Sequence, residues 1–196
     1  MSMTRYGRPM QTFSGGKFYP QDPRVEDMFL VDVEHVLSKV CRFGGHCDGL
    51  YTVLQHLVNC VEKADQDEMI RHDLKLMRTI LLHDSSETWI QDLTSPTKYA
   101  LPDYQVMEKR IEEVAAKRFD LYFPFPEIVK TIDLRMRVTE AAVLMTSAKD
   151  RWWEAPEFPP PYPDIKIVTC DNTFDPWRTF LVRQRFLSWC KQLNIR

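Results

Sequence analysis

Three features that would place a chain quickly are missing from this sequence of 196 residues: paired cysteines, a long apolar run and an excess of basic charge. Its five cysteines, Cys41, Cys47, Cys60, Cys170 and Cys190, are odd in number and form no Cys-x-x-Cys pair. That argues against a disulfide framework or a zinc knuckle and for reduced thiols that mostly fill core. No stretch approaches the roughly 18 consecutive apolar residues of a spanning helix. Met1-Ser2-Met3-Thr4-Arg5 does not lead into a signal-like segment, so a cytoplasmic protein with no membrane partner is expected. Twenty-six Lys and Arg against 28 Asp and Glu leave a net charge of −2 and a pI near 6.2. With no basic stripe and no interleaved aromatics, a nucleic-acid polymer is not an expected partner, although a few local cations could hold a small anion. Alternating strand patterns and internal repeats are absent too. What is present, 44% hydrophobic and 28% charged residues, suits a single all-α globular domain over residues 1–196, long enough to bury a core without staples.

Within that domain, residues 1–25, with Gly15-Gly16 and three prolines, form an irregular lead-in that could pair as a short hairpin or wrap the body. A helical core follows over about residues 26–148. Val33, Val36, Leu37 and Val40 recur at helical spacing and predict a helix from Val31 to Cys41. A glycine-rich loop, Arg42 to Gly49, ends it. Thr52 with Gln55 three residues on is a capping box, which puts His56 in the first turns of a second helix. Leu74, Met77, Ile80 and Leu81 predict a third. Asp92 to Lys98 is expected to be a turn, because Pro96 cannot continue a helix. A fourth helix starts near Pro102, and after Phe123-Pro124-Phe125-Pro126 comes a fifth with Ile128, Ile132, Met136 and Ala142 or Val143 along one side and Asp133 beside it. A Pro- and Trp-rich excursion over residues 150–173 is read as ordered, packed on the body or forming a subunit contact. Asp175-Pro176 then opens a last helix, about residues 175–194, with Trp177, Phe180, Leu181, Leu187 and Cys190 on its inner side.

The chemistry gathers at the end of the third helix. An apolar run stops at His83-Asp84, and two further acids follow at Glu87 and Asp92. An imidazole and a carboxylate held against a core need a partner, and a divalent cation is a good one. The plainer reading is a helix end with a solvated acidic turn. The chain carries a second such pair, His72-Asp73, in a charged stretch that looks like surface. His56, His83, Asp84 and Asp133 together make two imidazoles and two carboxylates, each flanked by apolar positions. Such a set suits Zn, Mn, Co or Fe with open positions for water and substrate. Singly, His56 could be a satisfied core histidine and Asp133 a surface acid.

The ordered segments Arg42-Phe43-Gly44-Gly45-His46, Tyr51 to His56, Leu82-His83-Asp84-Ser85-Ser86-Glu87, Asp92 to Lys98 and Ile132-Asp133 resemble the HD-domain phosphohydrolases. Within them the chain is similar to small bacterial 5'-deoxynucleotidases and phage deoxyadenosine triphosphate triphosphohydrolases. The likeness runs over roughly Asp32 to Glu140. It implies an HD-domain helical bundle, with His56, His83, Asp84 and Asp133 as ligands of one divalent transition metal (Zn, Co or Mn). It implies Glu87 and Asp92 as the groups that activate water and move protons. Arg42 would bind phosphate, with Lys98 as a second cation and Mg as a further possibility on the phosphates. Phe43 stands where relatives often place tryptophan against the nucleoside, core packing being the equal alternative. Gly45 and His46 belong to the same substrate loop, although a loop-stabilising hydrogen bond would also account for His46. No histidine occurs between Ser85 and Ile132, which favours one metal over two.

The activity implied is attack at the α-phosphorus of a deoxynucleoside triphosphate, dATP first, releasing deoxynucleoside and triphosphate. The nearest alternative is a 5'-nucleotidase for deoxynucleoside monophosphates, and a more distant one is a non-catalytic nucleotide-binding module. A nucleotide is then the expected small-molecule partner and a homo-oligomer, dimer or higher, the expected assembly. The compartment would be the host cytoplasm if the chain is phage-encoded.

Overall fold

A computed structural model describes residues 4–167 and 176–196, with side chains from residue 179 onward in the second span. Cys170, Asp175 as N-cap, and the Trp177 side chain lie outside the described residues, as does the end of the excursion. The regular structure of the described residues is helical apart from a hairpin of two two-residue strands and an isolated bridge between Cys41 and Thr52, and none of their helices is long and apolar enough to cross a membrane.

In the lead-in, β1 (Met10–Gln11) pairs antiparallel with β2 (Lys17–Phe18). Asp32, at the start of α1 (Leu30–Leu37), accepts hydrogen bonds from the Ser14 amide at 2.7 Å and the Ser14 hydroxyl at 2.8 Å, which fixes the hairpin turn on the body. α2 (Val53–Ala64) is the central helix, packed on α3 (Leu74–Leu82), α7 (Glu127–Leu144) and α8 (Pro176–Gln192). Its capping box forms as the sequence indicates: the Thr52 hydroxyl accepts from the Gln55 amide, and the Gln55 side chain accepts from the Thr52 amide at 2.8 Å. Behind that cap, Val53, Leu54, Leu57, Val58 and Val61 are buried on one face, and the same periodicity buries His56. Between α3 and α7 come α4 (Glu87–Ile90), α5 (Ser95–Tyr99) and α6 (Pro102–Phe119).

Three expectations are corrected. Ser95 to Tyr99 is a short helix rather than a turn, because Pro96 sits in its first turn, where the missing N–H would have had no intrahelical partner. On α7, Ile128 and Val143 are exposed, and the buried face is Val129, Ile132, Met136 and Leu144. On α8, Phe180, Leu181 and Leu187 are exposed, while Phe186, Cys190 and Leu193 are buried at helical spacing. Two salt links accompany that packing: Arg183 reaches the buried Glu34, and Arg185 donates to Glu62. α8 carries apolar residues on more than one side, so periodicity alone did not choose between them.

The described part of the excursion, residues 150–167, lies along α7. Trp153 is buried against Val138 and Ala141, the Tyr162 amide donates to the Thr139 hydroxyl at 2.9 Å, and the Arg135 guanidinium donates to the Pro160 carbonyl at 2.9 Å.

Candidate active site

α2, α3 and α7 bring four side chains to one point. One donor atom from each of His56, His83, Asp84 and Asp133 lies within 4.8 Å of the others. His83 stands at the C-terminal end of α3 and donates from Nδ1 to the Ile80 carbonyl at 2.8 Å. His56 donates from Nδ1 to Glu140 Oε1 at 2.7 Å. Each imidazole is thereby fixed with its Nε2 lone pair inward, the tautomer a metal ligand needs. The two Nε2 atoms are 3.3 Å apart. Asp133 Oδ1 is 3.1 Å from His56 Nε2, and Asp84 Oδ1 is 3.4 Å from His83 Nε2. Two imidazoles and two carboxylates, largely buried and aimed at one another, need protons or a cation among them, and the donor set fits a divalent ion of the transition series. This is a metal-binding site of His and Asp residues.

The electrostatics agree. Burial works against charge on both imidazoles, yet the acids around them prevail: Glu140 and Asp133, with Cys60, hold His56 above its ordinary range, and Asp84 and Asp133 do so for His83. Burial would also raise Asp84 and Asp133, but the histidines beside them hold both below the usual carboxylate range. The cluster gathers positive charge.

Arg42 sits against this cluster, 7% exposed, and joins it to a wholly buried acid. Its Nε donates to Glu140 Oε2 at 3.1 Å and its Nη1 to Asp84 Oδ2 at 3.3 Å, with Asp133 Oδ1 3.9 Å from Nη2. Glu140 accepts from Tyr51 as well, at 2.9 Å. Burial alone would discharge this carboxyl, but His56 and Arg42 hold it below the ordinary range. Glu140 is the residue that sequence reasoning missed. It stands seven residues after Asp133 on α7, two turns along the same face, and that spacing was the available signal.

A cleft of about 570 Å³ opens from the cluster. Glu87 and Asp92 line it beside Asp84, and Glu87 Oε2 is buried with no hydrogen-bond partner among the described residues. Burial, reinforced by Asp84 and Asp92, pushes Glu87 well above the usual carboxylate range, and burial likewise raises Asp92. Lys98 also lines the cleft but donates to Glu108 at 2.7 Å, so part of its charge is already matched. Arg137, one turn beyond Asp133, is a further cation there, donating to the Ser95 hydroxyl at 3.1 Å.

The glycine loop shapes the other wall. Phe43 lines the cleft, 5.8 Å from the Arg42 guanidinium, in a left-handed backbone conformation with φ 56°. An aromatic residue rarely adopts that conformation, and such strain is concentrated at functional sites. Gly44, also left-handed, brings the loop so close to Thr94 that a Cβ would sit 3.3 Å from its methyl group. Gly45 takes φ +79°, which shapes the turn, with open space where a side chain would be. His46 is exposed and lines the cleft.

A helical bundle whose helices converge an H…HD…D donor set beside a buried arginine defines an HD-domain phosphohydrolase. The model of the family described as 5'-deoxynucleotidase YfbR-like matches residues 51–140. The chain is also 35% identical over 131 residues to a protein of Escherichia coli (strain K12) named uncharacterized protein YfdR, covering 67% of this chain and 69% of that one. The chain belongs to the YfbR-like family of HD-domain phosphohydrolases and is a metal-dependent hydrolase.

Proposed function

We propose that this enzyme is a 5'-deoxynucleotidase that converts 2'-deoxynucleoside 5'-monophosphates to deoxynucleoside and inorganic phosphate. The observation that carries the reading is the convergence of His56, His83, Asp84 and Asp133 beside the Arg42 guanidinium, at the closed end of a cleft. His56, His83, Asp84 and Asp133 would hold one Zn, Co or Mn ion. A divalent ion bound there supplies Lewis acidity, making water more acidic and drawing electrons from a phosphoryl oxygen.

The residues do the rest. Arg42, fixed by Glu140, keeps a planar fork toward the phosphate oxygens. A water oxygen adds to phosphorus and the bond to the 5'-oxygen breaks. Glu87, the more strongly raised of the two carboxyls, would give a proton to the departing 5'-oxygen, and Asp92 would take one from the water. Charge bears on the choice: Arg42 already faces Glu140 and Asp84, and Lys98 already faces Glu108, which leaves Arg137, bonded to the neutral Ser95 hydroxyl, as the lining cation with most charge to spare, a supply that suits a monophosphate better than a longer phosphate chain.

Lys98 and Arg137 on the same cleft support a second reading, hydrolysis of a deoxynucleoside triphosphate at the α-phosphorus with Mg on the phosphates and dATP as the first candidate. Assay of dNMPs and dNTPs side by side with Mn, Co, Zn and Mg, identifying both products, separates the two. Nucleoside and phosphate from dNMPs supports the first reading, and nucleoside and triphosphate supports the second. No release from any deoxynucleotide by metal-loaded enzyme would overturn both. A homo-oligomer is part of the same proposal, checked by light scattering.

A further inference from the structure

The outer wall of the cleft is built by a segment outside the residues that match the family. Trp152 and Phe158 line the same cleft as Asp84, Glu87 and Asp133. Both come after α7, beyond residues 51–140. They are held from behind: the Trp152 ring meets Trp153 edge to face at 5.6 Å and 87°, and Phe158 at 5.1 Å and 70°. Trp153 is 4% exposed, packed on Val138 and Ala141 of α7, the helix that carries Asp133. Phe43 and Met145 pack against this same apolar group and also line the cleft. An aromatic wall and a metal ligand are thus mounted on one helix. Arg137 lines the same cleft, its buried Nε without an acceptor among the described residues.

Resting on the hydrolase reading above, we propose that Trp152 and Phe158 form the platform that receives the nucleobase, with the phosphate at Arg42. The apolar, half-buried faces suit a flat heterocycle that must leave water at one end of a molecule whose other end is charged. An aromatic platform accepts any base, since every base has a π-face, so it selects nucleotides over other phosphate esters without choosing strongly among bases.

The test compares metal-loaded wild type, Trp152→Ala, Trp152→Phe and Phe158→Leu on a deoxynucleoside monophosphate and on deoxyribose 5-phosphate, which has no base. Loss of the platform should raise KM for the nucleotide roughly ten- to a hundredfold with kcat little changed. The abasic phosphate should keep its kcat/KM within about twofold, and Trp152→Phe should recover most of the affinity. Equal losses on both substrates, or none on the nucleotide, would overturn the proposal. A second arm needs no turnover: 2'-deoxyadenosine should quench the tryptophan fluorescence of wild type and not of Trp152→Phe, and an undiminished quench in that variant would overturn the proposal too. If wild type hydrolyses no nucleotide, the activity reading fails while the fluorescence arm still decides the platform.

Discussion

The same two residues stand at both ends of α3. At its N-terminus, His72 is exposed and Asp73 serves as the cap, its Oδ1 accepting from the Leu76 amide at 2.9 Å and its Oδ2 from the Tyr122 hydroxyl at 3.2 Å. At its C-terminus, His83 is 6% exposed, and His83 and Asp84 face His56 and Asp133. One pair satisfies a helix end in water and the other forms half of a metal-binding set. The difference lies in what each helix end faces. The apolar run Ile80-Leu81-Leu82 drives the C-terminal end into the core against α2 and α7, where polar groups must find partners in the protein or in a bound ion.

The largest effect should come from breaking the buried pair. His83→Ala or Asp84→Asn should lose bound metal and lower kcat/KM by about a thousandfold or more, since several kcal/mol of charge stabilisation leave with the ion. His72→Ala should leave both metal content and kcat/KM within about twofold. Metal analysis of protein purified without chelator, alongside the kinetics, reads both. Equal behaviour of the two histidine variants would mean that burial does not distinguish the pairs.

A smaller loss is expected one bond further out. Glu140 is wholly buried behind the cleft lining; it orients His56 through Nδ1 and Arg42 through Nε. Glu140→Gln keeps the shape but leaves an amide where His56 and Arg42 need an acceptor-only group, which should weaken metal binding about ten- to a hundredfold. A merely structural role would move the melting temperature without this change. Competition with a chelating dye separates the two outcomes, and inhibition by inorganic phosphate shows whether Arg42 has been loosened as well.

Glu140 also shows where the sequence stopped being legible. The capping box at Thr52 and Gln55, the apolar run into His83 and the Phe123 to Pro126 break are local signals, and each element they mark was found near its predicted place. The network around Glu140 is assembled from Arg42, Tyr51 and His56, 84 to 98 residues away, and the one local signal, its spacing of seven from Asp133, does not name those partners. A polar stripe at Asp133, Arg137 and Glu140 looks like the solvated face of a helix until the partner helices are in place. The exposed face of α8 was misjudged for a related reason: it carries apolar residues on more than one side, and the face that is buried, Phe186 and Cys190, is settled by the helices it packs against.

The smallest effect belongs to the exposed pair and tests whether the two ends of α3 are independent. Asp73→Ala removes the acceptor for the Leu76 amide and the partner of the Tyr122 hydroxyl, and loss of a cap of this kind costs about 1 kcal/mol. For a chain of this size that is a fall of about 2–4 °C in melting temperature, and Asp73→Asn, which keeps a capping oxygen, should recover most of it. kcat/KM should not change in either variant, because α3 is held by Met77, Ile80, Leu81 and Leu82 in the core, and these fix His83 whether or not the first turn frays. A fall in kcat/KM with Asp73→Ala, at full metal content, would mean that the cap helps to set the register of the whole helix. The exposed pair would then contribute to the geometry of the buried one.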